Sequence, residues 1–179
     1  MNSKAYILGF VVGLISVLVV VAVIVIAIRK LTGAKQCKYD ERQKLAQGKA
    51  YKIAYAVLLA YLIGASTFDM MLGIRWCDEF TFVMIGVMAS IFVYACVCIW
   101  NDAYVNINQS PRTIVLILLG VGLINLGISI MNLRHGVWVE NGMLTPMVTN
   151  PMCAAMLLLV VLMFAIKQFV DKRRRQDEE

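Results

Sequence analysis

Charge is what this sequence has least of. Asp, Glu, Lys and Arg make up 16% of its 179 residues, where an ordinary soluble domain carries about 25%. The charge that is present avoids the apolar blocks: five runs, 5–28, 53–72, 81–100, 113–133 and 152–169, have none near their centres. Each approximately meets the length rule for crossing a bilayer, whose hydrocarbon core of about 30 Å takes roughly 20 apolar residues as a helix. No room remains for a separate soluble domain. Histidine is nearly absent as well. His135 stands alone beside Arg134 in a loop, and one imidazole with no cysteine nearby makes no zinc site. Cys96 and Cys98 are two apart, so a helix points them to different sides and they cannot chelate together. Cys77 and Cys153 fall near one surface, and a disulfide between them depends on whether the packed spans bring them within reach.

Polar groups are also scarce at depth. Ser16, Tyr61, Ser90 and Asn125 are the main ones at span middles, whereas secondary transporters bind near the midplane with ionisable residues or broken helices. Asn125 reads as an interhelical hydrogen-bonding residue before it reads as a path-lining one. No catalytic residue, cofactor or metal is expected, and the chain reads as no enzyme. Asp69, Asp78 and Glu79 form an acidic rim that solvation at an interface explains as well as cation collection does.

Hydrophobic residues, at 61%, dominate what is there. The 5–28 run is longer than the 7–15 residues of a signal-peptide core and stops at Arg29-Lys30, which predicts a retained span. Lys and Arg near span ends stay on the cytoplasmic side. Of the 17 such residues, all but Lys4, Arg75 and Arg134 fall in the 29–52 loop, the 101–112 loop or the end of the chain from Lys167 to Arg175. The expectation is an all-α integral membrane protein of the cell membrane, a single domain of five transmembrane helices. Its N-terminus lies outside and its C-terminus inside, with a basic-then-acidic tail at 170–179. The net charge of +6 is then an orientation signal; nucleic acid is excluded as a partner, because no folded module carries a basic face. Ser110-Pro111 and Asn150-Pro151 read as helix starts, with proline at the first helical position. Asn141-Gly142 between alternating apolar residues reads as a small hairpin within 137–150.

One segment is polar and joins a span without a break: "YDERQKLAQGKAYK", residues 39–52. Asp40 can cap a helix and Gln43 can reach back to the cap's own N–H. Asp40 and Lys44 form an i,i+4 pair. The helix is expected to run past Gly48, which suggests a bend or a close approach there, into the second span. Asp40, Glu41, Arg42, Gln43, Lys44, Gly48, Lys49 and Lys52 are the candidate contacts to anionic headgroups at the inner face or to a membrane or cytoplasmic protein partner. The segment resembles uncharacterised small multi-span membrane proteins of Gram-positive, clostridia-like bacteria. These share a DERQ-type box followed by a Gly-Lys/Arg-aromatic element before a helix. The resemblance implies a bacterial cell-membrane protein and no activity.

Small residues mark helix packing. Gly9 and Gly13 form a GxxxG element, Ala56, Ala60 and Gly64 a row, and Gly86 and Ser90 repeat the spacing. They predict close contacts inside one bundle, or a homo-oligomer through the first span. The function expected is accessory, regulatory or immunity-like, acting in the bilayer or at its inner face; the alternative is a small transporter or channel component.

Overall fold

The computed structural model describes residues 39–73, 76–134, 136, 138–140 and 142–177, together with Ile15, Val19 and Val23; of Asp69 it describes the backbone alone. The chain divides into two compact units, Met1–Lys38 and Tyr39–Glu179. In the first, Ile15, Val19 and Val23 are helical and exposed. The 5–28 run, with Gly9 and Gly13, otherwise lies outside the described residues, as do His135 and Asn141.

The second unit contains four helices long and apolar enough to cross a membrane. They are α1 (Glu41–Leu72), α2 (Glu79–Trp100), α3 (Pro111–Arg134) and α4 (Thr149–Asp177). At 32 residues, α1 is about 48 Å long, enough to cross a bilayer core and continue through a headgroup layer. It runs unbroken through Gly48, beside which a Cβ would meet nothing within 4 Å. Among the described residues nothing approaches it closely, and the glycine is exposed.

Successive helices pair as α1 with α2 and α3 with α4, and the two pairs join where α2 packs on α4. The α1–α2 seam rests on small residues. Gly86 is buried, and a Cβ there would overlap the Tyr61 ring; the Tyr61 hydroxyl donates to the Phe82 carbonyl (2.9 Å). One turn on, the Ser90 hydroxyl crosses to the Ala54 carbonyl (2.9 Å). Between α3 and α4, Gly122 lies against Leu157 and Leu158. Where α2 meets α4, Ala95, Ile99, Val160 and Phe164 form a buried apolar cluster.

One small-residue row lies away from the seams between the four described helices. Ala56, Ala60 and Gly64 are exposed, and Gly64 has nothing within 4 Å. The face of α1 turned to its neighbours carries Ala50 and Ala54 instead, and two residues on from Ala54 a helix has rotated about 200°. Among the described residues Asn125 bonds within its own helix: its amide donates to the Val121 carbonyl (2.9 Å), while Ser129 donates to the Asn125 carbonyl (2.6 Å).

The end of the bundle where α2 starts holds a miniature sheet. Val139–Glu140 (β1) pairs antiparallel with Met143–Leu144 (β2), with Gly142 at φ 77° in the turn. Cys77 bridges Leu144 in parallel, so Trp76 to Asp78 lies along β2. Asp78 then caps α2, accepting from the N–H groups of Phe80 (2.9 Å) and Thr81 (3.2 Å) and from the Thr81 hydroxyl. Pro111 opens α3 as expected. By contrast, α4 starts earlier than its proline implied, at Thr149, following a 3-10 turn over Pro146–Val148. Pro151 still falls in the first turn, where its missing N–H leaves no bond unmade.

Candidate functional site

The start of α1 is positioned by two amides one turn apart. Gln43 Oε1 accepts from the Asp40 N–H (3.2 Å), the reach-back half of the expected box. Its Nε2 reaches further, donating to the carbonyls of Asp102 (2.6 Å) and Val105 (3.2 Å). Gln47 Nε2 donates to the Ala103 carbonyl (2.8 Å). The loop between α2 and α3 is thus held by side chains of α1. Each bond is worth about 1 kcal/mol net, and more is lost when a buried carbonyl is left without its donor. Asp40 itself caps weakly by geometry: its Oδ1 accepts from the adjacent Glu41 N–H (2.7 Å).

The loop is gripped from a second side. Asp102 has φ 55°, a left-handed conformation that aspartate tolerates better than most residues. Its carbonyl serves Gln43, while its carboxylate meets Lys167 of α4 at 3.0 Å. Lys167 Nζ also donates to the Trp100 carbonyl (2.8 Å), placing a cation at the negative C-terminal end of α2, where the helix dipole favours it. In the sequence Lys167 counts only as one more orienting charge. Its role, with Gln47 and Asp102, could not be found from spacing, because these residues are 56 to 67 positions from the groups they bind. Beneath them Tyr104 packs edge-on against Phe164, with ring centroids 5.4 Å apart. Burial pushes the Tyr104 hydroxyl above the ordinary tyrosine range.

This arrangement divides the 39–52 segment by face. Gln43, Gln47, Ala50 and Ala54 follow one another at i, i+4, i+7 and i+11 toward the bundle. Asp40, Glu41, Arg42, Lys44, Gly48, Lys49 and Lys52 are exposed on the remaining surface. Among the described residues, Lys167 is the one cation at this end in a salt bridge, with Asp102 and, at 3.8 Å, Asp171. Arg173 lies 4.6 Å from the Phe169 ring centroid. Arg42, Lys44, Lys49, Lys52, Arg112 and Lys172 to Arg175 share this end of the bundle with no acidic partner at salt-bridge distance among the described residues. The chemistry on offer is recognition of negative charge by a fixed surface. Among the described residues no three His, Cys, Asp or Glu side chains group to hold a metal, and Cys77 and Cys153 are not joined by a disulfide.

No family model matches this chain, and neither the curated proteins nor the solved structures compared with it contain a match.

Proposed function

We propose that this chain is a multi-pass membrane protein of five spans whose basic end lies at the cytoplasmic face and which acts, without catalysis, by docking a partner there. An accessory, regulatory or immunity-like role fits that mode of action. The observation that carries the reading is the division of the 39–52 helix. Its amides are spent on holding it to the α2–α3 loop, so its charged face is presented at a fixed angle with no ion-pair partner among the described residues. A segment that served orientation alone needs charge but no such fixation. The membrane setting is supported by the apolar side chains around the bundle, such as Leu116, Ile124 and Ile63, each about two-thirds exposed (66%, 65% and 66%). In water such a surface would forgo about 25 cal/mol for every Å² left unburied; in lipid it costs nothing comparable.

Photo-crosslinkers at positions 44 and 49 in cells test the docking. A discrete protein adduct is expected, and it should vanish when Asp40, Glu41 and Arg42 are replaced by alanine while abundance in the membrane holds. Lipid adducts alone would reduce the segment to an anchor. Ion or solute flux through proteoliposomes containing only this protein would instead favour a transporter or channel component.

A further inference from the structure

Beside the lysine latch lies a cavity of about 250 Å³, between the α2–α3 loop and α4. Its charged lining consists of Asp102, Lys167 and Asp171, and its neutral polar lining includes Tyr104, Gln109 and Gln168. Lys167 has three N–H groups. Two are taken by the Trp100 carbonyl and Asp102. The Asp171 carboxylate stands 3.8 Å from Nζ, too far for a hydrogen bond and the kind of gap that a third, bridging group fills. A donor and an acceptor that do not hydrogen-bond each other therefore line one space, together with amides that offer both.

Three ligand chemistries can be compared against that lining. A phosphate or carboxylate inserted here meets two carboxylates and a lysine already neutralised. A bare cation meets the Lys167 ammonium. A hydroxyl satisfies both partners at once, accepting from Lys167 and donating to Asp171, and a neighbouring hydroxyl has the amides of Gln109 and Gln168 within the same lining. We propose that this cavity binds the vicinal diol of a glycerol-type headgroup. The inference rests on the membrane reading above, because it places the cavity at headgroup depth. The cations next in sequence to the lining, Arg112 after Pro111 and Lys172 after Asp171, have no ion pair among the described residues and suit the phosphate that such a lipid carries outside the cavity.

The test is lipid binding by native mass spectrometry of the whole chain, comparing phosphatidylglycerol with phosphatidylserine and phosphatidic acid of the same acyl chains. All three are anionic and one carries the diol. Phosphatidylglycerol is expected to bind about tenfold more tightly, the scale of one well-made polar contact. That preference should disappear in Asp171→Leu and in Gln168→Leu, both on exposed or half-exposed positions that leave the Lys167–Asp102 pair intact. Neutralising Lys44 and Lys49 should weaken all three lipids alike and keep the preference. Equal binding of the three lipids by the native chain, or a preference unchanged in both cavity variants, would overturn the proposal. Saturable binding of lipid-free glycerol 1-phosphate, lost in the same variants, would support the diol site and identify a soluble source. A crosslinking failure at 44 and 49 with the lipid preference intact would overturn the docking reading and not this one.

Discussion

At the residue scale, two glycines of similar appearance in the sequence have opposite surroundings. Gly86 faces the Tyr61 ring with no space for a methyl, whereas Gly64 faces open space. Gly86→Ala is expected to destabilise by about 1–3 kcal/mol through overpacking. Gly64→Ala is expected to be neutral or to stabilise by up to about 1 kcal/mol, because alanine favours the helix. Thermal unfolding of the purified variants in one detergent checks both; a drop for Gly64→Ala would mean that its face is covered. Asp78 supplies a pH-dependent case. Burial alone would raise its carboxyl, but the Thr81 hydroxyl and the N–H groups of Thr81 and Phe80 outweigh it and hold it below the ordinary range. A lowered folded-state value means the cap stabilises in full above the ordinary carboxylate range and is lost as pH falls through the lowered value. Asp78→Ala should therefore cost about 0.5–2 kcal/mol near neutrality, and the gap from the native chain should close in acid. Unfolding midpoints measured against pH report it.

At the element scale, the question is what a polar helix extension does for the bundle. Gln43 and Gln47 tie α1 to carbonyls of Asp102, Ala103 and Val105, and the loop's own bonds, such as Ala103 N–H to the Cys98 carbonyl (2.8 Å), build on that hold. The double variant Gln43→Leu, Gln47→Leu removes the donors and leaves the carbonyls behind, for roughly 2–4 kcal/mol in total at the usual cost per unsatisfied group. Hydrogen exchange should rise across 101–110 and stay unchanged at Val139 to Leu144, at the other end of the bundle. Protection unchanged in the loop would show that Lys167 holds it alone.

At the scale of the whole molecule, one end gathers cations and the other carries the hairpin and the Asp78 cap. Cysteine-labelling reagents that do not cross membranes should reach engineered cysteines at Glu140 and Met147 in intact cells, and those at Lys44, Arg112 and Arg173 only after permeabilisation. The reverse pattern would invert the topology. Lys167 joins the two helix pairs, since it sits on α4 and binds the end of α2. Lys167→Met should loosen that joint, lowering the unfolding midpoint by more than Lys172→Met, whose ammonium has no described ion pair.

Much of this was legible in one dimension because it depends on local rules. Apolar length marked the four described helices, Pro111 marked a helix start, Asn141-Gly142 marked the hairpin, and Asp40 with Gln43 marked the box before α1. Each follows from contacts within a few residues or from transfer of a segment into lipid. The sequence by itself therefore determined which of the described segments are helical and at which helix ends their charges collect. Only the tertiary structure decided which face of each helix is covered. That is why the exposed Ala56–Ala60–Gly64 row and the buried Ala50–Ala54 stripe could not be told apart beforehand: in an apolar span every face is oily, so periodicity carries no sign of inside or outside. Nor could spacing reveal that Gln47, Asp102 and Lys167 meet at one loop, because their partners are distant in the chain and are brought together by packing alone.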